Sequence, residues 1–185
     1  MKDIQKIALV LIGLFAASRL LRKTTPDEPS TFIDEISPIP STPNNDPSLS
    51  LSFCEIRPAT TAGTSNFALS EFHSKDGTLV PEIYRGNIQL LMEQLQIIRT
   101  ELNAPIIITS GYRSPAHNEY VGGVSSSKHM CGMAADISVV GVDPVTVQQT
   151  ILNLIAEGRI IDGGLGLYNT FTHYDIGASR RWDNR

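Results

Sequence analysis

The sequence has no surplus of positive charge. Its 185 residues carry 15 Lys and Arg against 19 Asp and Glu, for a formal net charge of −4. A chain with that balance lacks the electrostatic footprint of a nucleic-acid partner. Cysteine is nearly absent as well. Cys54 and Cys131 are the only two, which excludes a disulfide-built scaffold and leaves open either one bridge in an oxidising compartment or two unpaired thiols. The N-terminal apolar run, Ile7 to Ser18, falls short of the about 20 residues of a full membrane crossing. No H-E-x-x-H is present, so a helical zinc site of that kind is excluded.

What is present begins with charge placement. Lys2 and Lys6 precede the apolar run, small residues Ala16, Ala17 and Ser18 close it, and Arg19, Arg22 and Lys23 follow. Residues 1–23 read as a secretory signal peptide, or as a short membrane anchor extended by Leu20 and Leu21. Residues 24–50 contain five acidic residues and no basic one. They are rich in Pro, Ser, Thr and Asn without sustained periodicity, and cannot bury enough apolar surface to offset their ordering entropy. They read as a flexible acidic linker.

Residues 51–185 are enough for one domain with a core, expected to be monomeric. Ile83, Ile88, Leu91, Leu95, Ile98 and Leu102 recur at mostly three- and four-residue spacing behind Pro81, which predicts a helix. Strands are predicted at Ile106–Thr109, ending in a Ser-Gly turn, and at Ala135–Val140. A second helix follows, with Asp143 as N-cap, Pro144 in its first turn and Gly158 at its end. The stretch "GGLGLYNTFTHYDIG" reads as two short strands turning near Asn169. The order predicts an α+β fold, a small antiparallel sheet with helices on one face and a site at the sheet edge.

Polar residues gather where these elements meet. His129 precedes the Asp136 strand and His173 lies in the last strand. Three N/O ligands with a fourth position open is the pattern of catalytic zinc. Gly132 lets the backbone turn between the first two, and Ala134 and Ala135 leave room beside a metal. The same residues also fit ordinary core or surface histidines and a turn-capping aspartate. Cys131 is a conceivable ligand, but a small buried thiol fits its setting better.

Ser127-Lys-His129-Met-Cys-Gly132-Met-Ala134-Ala-Asp136 matches S-x-H-x-x-G-x-A-x-D. With "SGYRSPAHN" and its following "GG", "EFHSKDG", and the terminal "GGLGLYNTFTHYDIG" and "RW", the chain from Asn66 to Trp182 resembles the zinc D-Ala-D-Ala carboxypeptidase-like metallopeptidases. That superfamily includes the hedgehog signalling domain and phage L-alanyl-D-glutamate endolysins, and the likeness is to its small bacterial and phage branch. The resemblance implies Zn2+ on His129, Asp136 and His173, with Arg113 contacting substrate and stabilising the oxyanion. Arg113 could instead serve in a structural salt bridge. Ser127 matches a motif serine near the substrate, or serves as a loop-stabilising hydroxyl. Many relatives carry an acid three positions before the last histidine, where this chain has Thr170. Asp175, two residues past His173, projects to the same face of a strand, either as catalytic base or as a hydrogen-bond partner orienting a ligand histidine. The resemblance implies an extracytoplasmic peptidase acting on peptidoglycan peptides, as a D,D-carboxypeptidase or an endopeptidase, for wall remodelling or for phage entry or lysis. The alternative is an inactive zinc-containing wall-binding or virion module.

Overall fold

The structure, a computed structural model, describes residues 53–59 and 64–185. The apolar run and the acidic linker lie outside the described residues, and none of the described helices is long and apolar enough to cross a membrane.

The domain is α+β. Helix α1 (Arg85–Leu102) follows a 3₁₀ turn at Glu82–Tyr84. Its Ile88, Leu91, Leu95 and Ile98 are fully buried, as their spacing predicts. Strand β1 (Ile106–Ser110) leads to a short helix α2 (Pro115–Tyr120), capped by the Ser114 side chain, and then to a 3₁₀ turn at Lys128–Cys131. Strand β2 (Ala134–Val139) precedes α3 (Pro144–Ala156), where the Asp143 carboxylate accepts from the Val145 and Thr146 N–H groups. Strands β3 (Gly164–Leu167), β4 (Thr172–Asp175) and β5 (Arg180–Asp183) complete the chain.

The sheet order is β1-β2-β4-β3-β5. All pairings are antiparallel except β3 with β5, so the sheet is mixed where a purely antiparallel one was expected. The exception arises because β5 returns along the outer side of β3 with a direction set by the turn after β4. Side chains alternate across the sheet. Ala135, Ile137, Val139, Leu165 and Tyr174 belong to the hydrophobic core, against which α1 and α3 pack. The opposite parity, Ala134 and Asp136 on β2 with His173 and Asp175 on β4, faces away from that core. Since β2 and β4 are inner strands, these residues sit on a sheet face, and not along an edge strand.

The cysteines are paired. Cys54 and Cys131 form a disulfide with their Cα atoms 5.4 Å apart, which corrects the expectation of a small buried thiol at Cys131. The physical reason is the path of residues 53–58. The buried Asn87 amide donates to both the Glu55 carbonyl (2.7 Å) and the Cys131 carbonyl (2.9 Å), and this draws the two segments together.

Candidate metal centre

Two motifs read separately in the sequence meet beneath the site. In "EFHSKDG", the Phe72 carbonyl accepts from the Tyr112 N–H at 2.8 Å. A Cβ on Gly111 would lie 2.6 Å from the Phe72 Cα, so only glycine allows this approach. Asp76 accepts a very short hydrogen bond from the Ser114 hydroxyl. That hydroxyl also accepts from the His117 N–H at 3.0 Å, starting α2. "SGYRSPAHN" is thereby held as a rigid loop, with Arg113 at its turn. A register shift between Ile108 and Ser110 re-aims the end of β1, so Ser110 meets Arg113 on the open face.

His129 lies in the 3₁₀ turn, where a loop was expected. Gly132 ends the turn with φ +63, a conformation glycine adopts at no steric cost. The His129 Nδ1–H donates to the Gly111 carbonyl at 2.7 Å, which leaves Nε2 as a lone pair. On β2 and β4, Asp136 and His173 are direct cross-strand partners. The His173 Nε2–H donates to Asp175 Oδ2 at 3.1 Å, which leaves Nδ1 as a lone pair. The separations are then 3.2 Å from His129 Nε2 to His173 Nδ1, 3.3 Å from His129 Nε2 to Asp136 Oδ1, and 2.8 Å from His173 Nδ1 to Asp136 Oδ1.

This donor set fits zinc. Ligands about 2.0–2.1 Å from a tetrahedral ion stand about 3.3 Å from one another, close to what the three atoms show. With both outward N–H groups committed, the neutral rings turn two lone pairs toward a carboxylate oxygen, and only a proton or a cation between them relieves the repulsion. Such an arrangement calls for a cation. All three residues are buried, and they form the group able to hold a metal among the described residues. Without an ion, the charges respond accordingly. Burial pushes His129 below its ordinary value despite the nearby Asp136 charge. Burial also opposes a charge on His173, yet the hydrogen bonds to Asp136 and Asp175 outweigh it and raise its pKa. Asp136 would be raised by burial, but the two histidines hold it well below the carboxylate range.

Around the donors, Arg113 is fixed by two bonds, Nε to Ser110 Oγ at 2.9 Å and a terminal nitrogen to Asp136 Oδ2 at 2.6 Å. Ser127 borders the same cavity of about 480 Å³; its side chain makes no capping bond to the turn it precedes. Asp175 is fully buried. Its Oδ2 takes the His173 N–H and Arg180 (2.6 Å), and its Oδ1 takes the N–H groups of Gly164 (3.2 Å) and Gly177 (2.8 Å). Burial raises its pKa, but His173 and Arg180 outweigh that and lower it. It is not among the cavity-lining residues, whereas Lys128, Arg180 and Trp182 are. Sequence reasoning assigned those three no role. The signals available for them were "RW" at the chain end and the glycines of β3, since a Cβ on Gly166 would lie 2.3 Å from the Trp182 ring and one on Gly164 2.1 Å from Asp175 Oδ2.

Comparison with known proteins agrees with this geometry. The chain is 33% identical over 99 residues to the zinc D-Ala-D-Ala carboxypeptidase of Streptomyces albus G. The aligned part covers 53% of this chain and 38% of the relative, so the chain spans well under half the length of that curated relative. Residues 63–175, more than half of the chain, match the family model described as Peptidase M15. The chain belongs to the Peptidase M15 family.

Proposed function

We propose that the protein is a zinc-dependent peptidase that hydrolyses amide bonds in peptidoglycan peptides. The observation carrying this reading is the convergence of the His129, Asp136 and His173 lone pairs on one point at the floor of an open cavity. Zinc bound there supplies Lewis-acid activation of water and of an amide carbonyl. The chain's own residues do the rest. The Gly111 carbonyl and Asp175 fix which nitrogen each histidine offers. Arg113, held by Ser110 and Asp136, keeps N–H donors for a carbonyl oxygen gaining negative charge. Ser127 presents a hydroxyl to the bound peptide.

Asp175 we assign as a positioning residue. Its two oxygens are already occupied by four donors, and it stands behind His173, on the nitrogen opposite the donor atom. A carboxylate so placed sets ring orientation and ligand basicity; it does not reach a water in the cavity. Residues 1–23 would export or anchor the chain and 24–50 would let the domain reach the wall, an extracytoplasmic setting that the disulfide suits.

The test is digestion of purified peptidoglycan by the zinc-loaded chain, with and without a chelator, with released fragments resolved by mass. Chelator-sensitive release is the expected result, and the masses name the bond as terminal or internal. No release from a sample with stoichiometric zinc would instead make the protein a wall-binding module.

A further inference from the structure

The metal donors account for one part of the cavity. Another part is cationic. Lys128 donates from Nζ to the Phe53 carbonyl at 3.1 Å and lies 5.8 Å from the Phe53 ring. Phe53 is itself placed by its neighbour Cys54, bridged to Cys131. The Lys128 stem passes Gly177 so closely that a Cβ there would sit 3.0 Å from Cε. Arg180, at the start of β5, is held by Asp175 at 2.6 Å, with its guanidinium carbon 5.3 Å from the Trp182 ring.

Each cation is therefore held by an acceptor and lies near an aromatic ring. Each keeps further N–H donors for the cavity it lines. Arg113 adds a third cation to the lining, and Asp136 is the single acidic residue among the lining residues. Asp136 is already committed to the metal position and to Arg113. Arg180 is balanced by the buried Asp175, so the unbalanced charge of the lining rests on Lys128, whose Nζ is bonded to a carbonyl. A lysine with a guanidinium on the same concave wall favours a carboxylate over a neutral amide.

We propose, building on the peptidase reading, that Lys128 and Arg180 form a cradle for a substrate carboxylate beside the scissile amide. Arg180 and the His173 ring share one Asp175 oxygen as acceptor, and Lys128 and Arg180 line the same cavity as the three metal donors. The cradle thus borders the ligand histidine. A carboxylate there comes either from the end of the peptide or from an acidic residue flanking the bond.

The experiment uses the zinc-loaded chain and three probes: an acyl-D-alanyl-D-alanine with a free carboxylate, its terminal amide, and an amide-ended peptide with an acidic residue next to the bond. Affinity is measured by calorimetry and turnover in parallel. The chain is expected to favour a carboxylate probe over the plain amide by about 10- to 100-fold, the range of a charge-assisted pair. Lys128→Met and Arg180→Gln should each lower that acid-to-amide ratio about tenfold, with Arg180→Lys restoring part of it. Zinc content is measured on every variant, so that lost metal is not mistaken for a lost cradle, and Lys128→Met carries the test if Arg180→Gln disturbs Asp175. Preference for the first or the third probe supports the cradle and names the source of the carboxylate. An unchanged ratio in both charge-removing variants, or no acid preference in the native chain, overturns it. Acid-selective binding without turnover removes the peptidase reading and leaves the cradle standing; turnover without selectivity does the reverse.

Discussion

Removing the Cys54–Cys131 bridge tests how far residues 53–58 belong to the site's framework. The bridge closes a loop of 77 residues. On the chain-entropy account, a loop of that length constrains the unfolded state by about 4.5 kcal/mol. Domains are stable by about 5–15 kcal/mol, so the loss is a large fraction of the total. For the chain in which both cysteines become alanine, the melting temperature should fall by roughly 10–20 °C. Both are replaced together so that no stray thiolate competes for metal. The native state keeps other links between the same segments, the Asn87 bonds and the Lys128–Phe53 bond, so the fold itself should persist. Thermal unfolding followed by circular dichroism in chelator separates this effect from zinc, and intact mass establishes that the native sample carries the bridge. A melting temperature within about 3 °C of the native protein would refute the reasoning, because a loop of this length cannot be entropically neutral unless the unfolded chain already holds its ends together.

Two further predictions concern the site itself. Zinc binding should release a single proton at pH values below the raised pKa of His173, since His129 is lowered and Asp136 stays ionised. The proton competes with the metal at His173 only, so log affinity should drop by about one per pH unit below the His173 pKa; a slope of two in a competition titration would contradict this. Gly166→Ala places a Cβ 2.3 Å from the Trp182 ring and should cost about 1–3 kcal/mol, as overpacking does. Because Trp182 is the sole tryptophan, a shift in its emission reports the displacement directly, and unchanged emission with unchanged stability would argue against the contact.

The sequence disclosed most where periodicity was long or a cap was explicit. The spacing from Ile88 to Ile98 and the Asp143-Pro144 pair locate α1 and α3 to within a few residues. Helix α2 is six residues long, too short for a periodic signal, although Ser114-Pro115 marks its start. Strand β5 is mostly exposed and charged, with a burial pattern unlike an alternating strand, so its pairing comes from β3 and not from its own residues. Alternation puts Asp175 on the face of His173, and it is there. Which histidine nitrogen it meets depends on space left by Gly164, a contact eleven residues away that no local pattern expresses. The cysteine pairing is hidden for the same reason: a separation of 77 residues carries no geometry until the chain is folded.

The cross-strand pairing of Asp136 with His173 has a meaning for how the molecule reaches its native state. A one-residue slip of β4 against β2 would turn His173 toward the helices and bring Thr172 or Tyr174 to the open face. In any slipped arrangement the three lone pairs never assemble, and the ion has no purchase. Zinc affinity therefore acts as a proofreader of strand alignment, deepening one register alone among those the short strands β2 and β4 could sample. Occupancy of the metal position is, in that sense, a record that the sheet was built correctly.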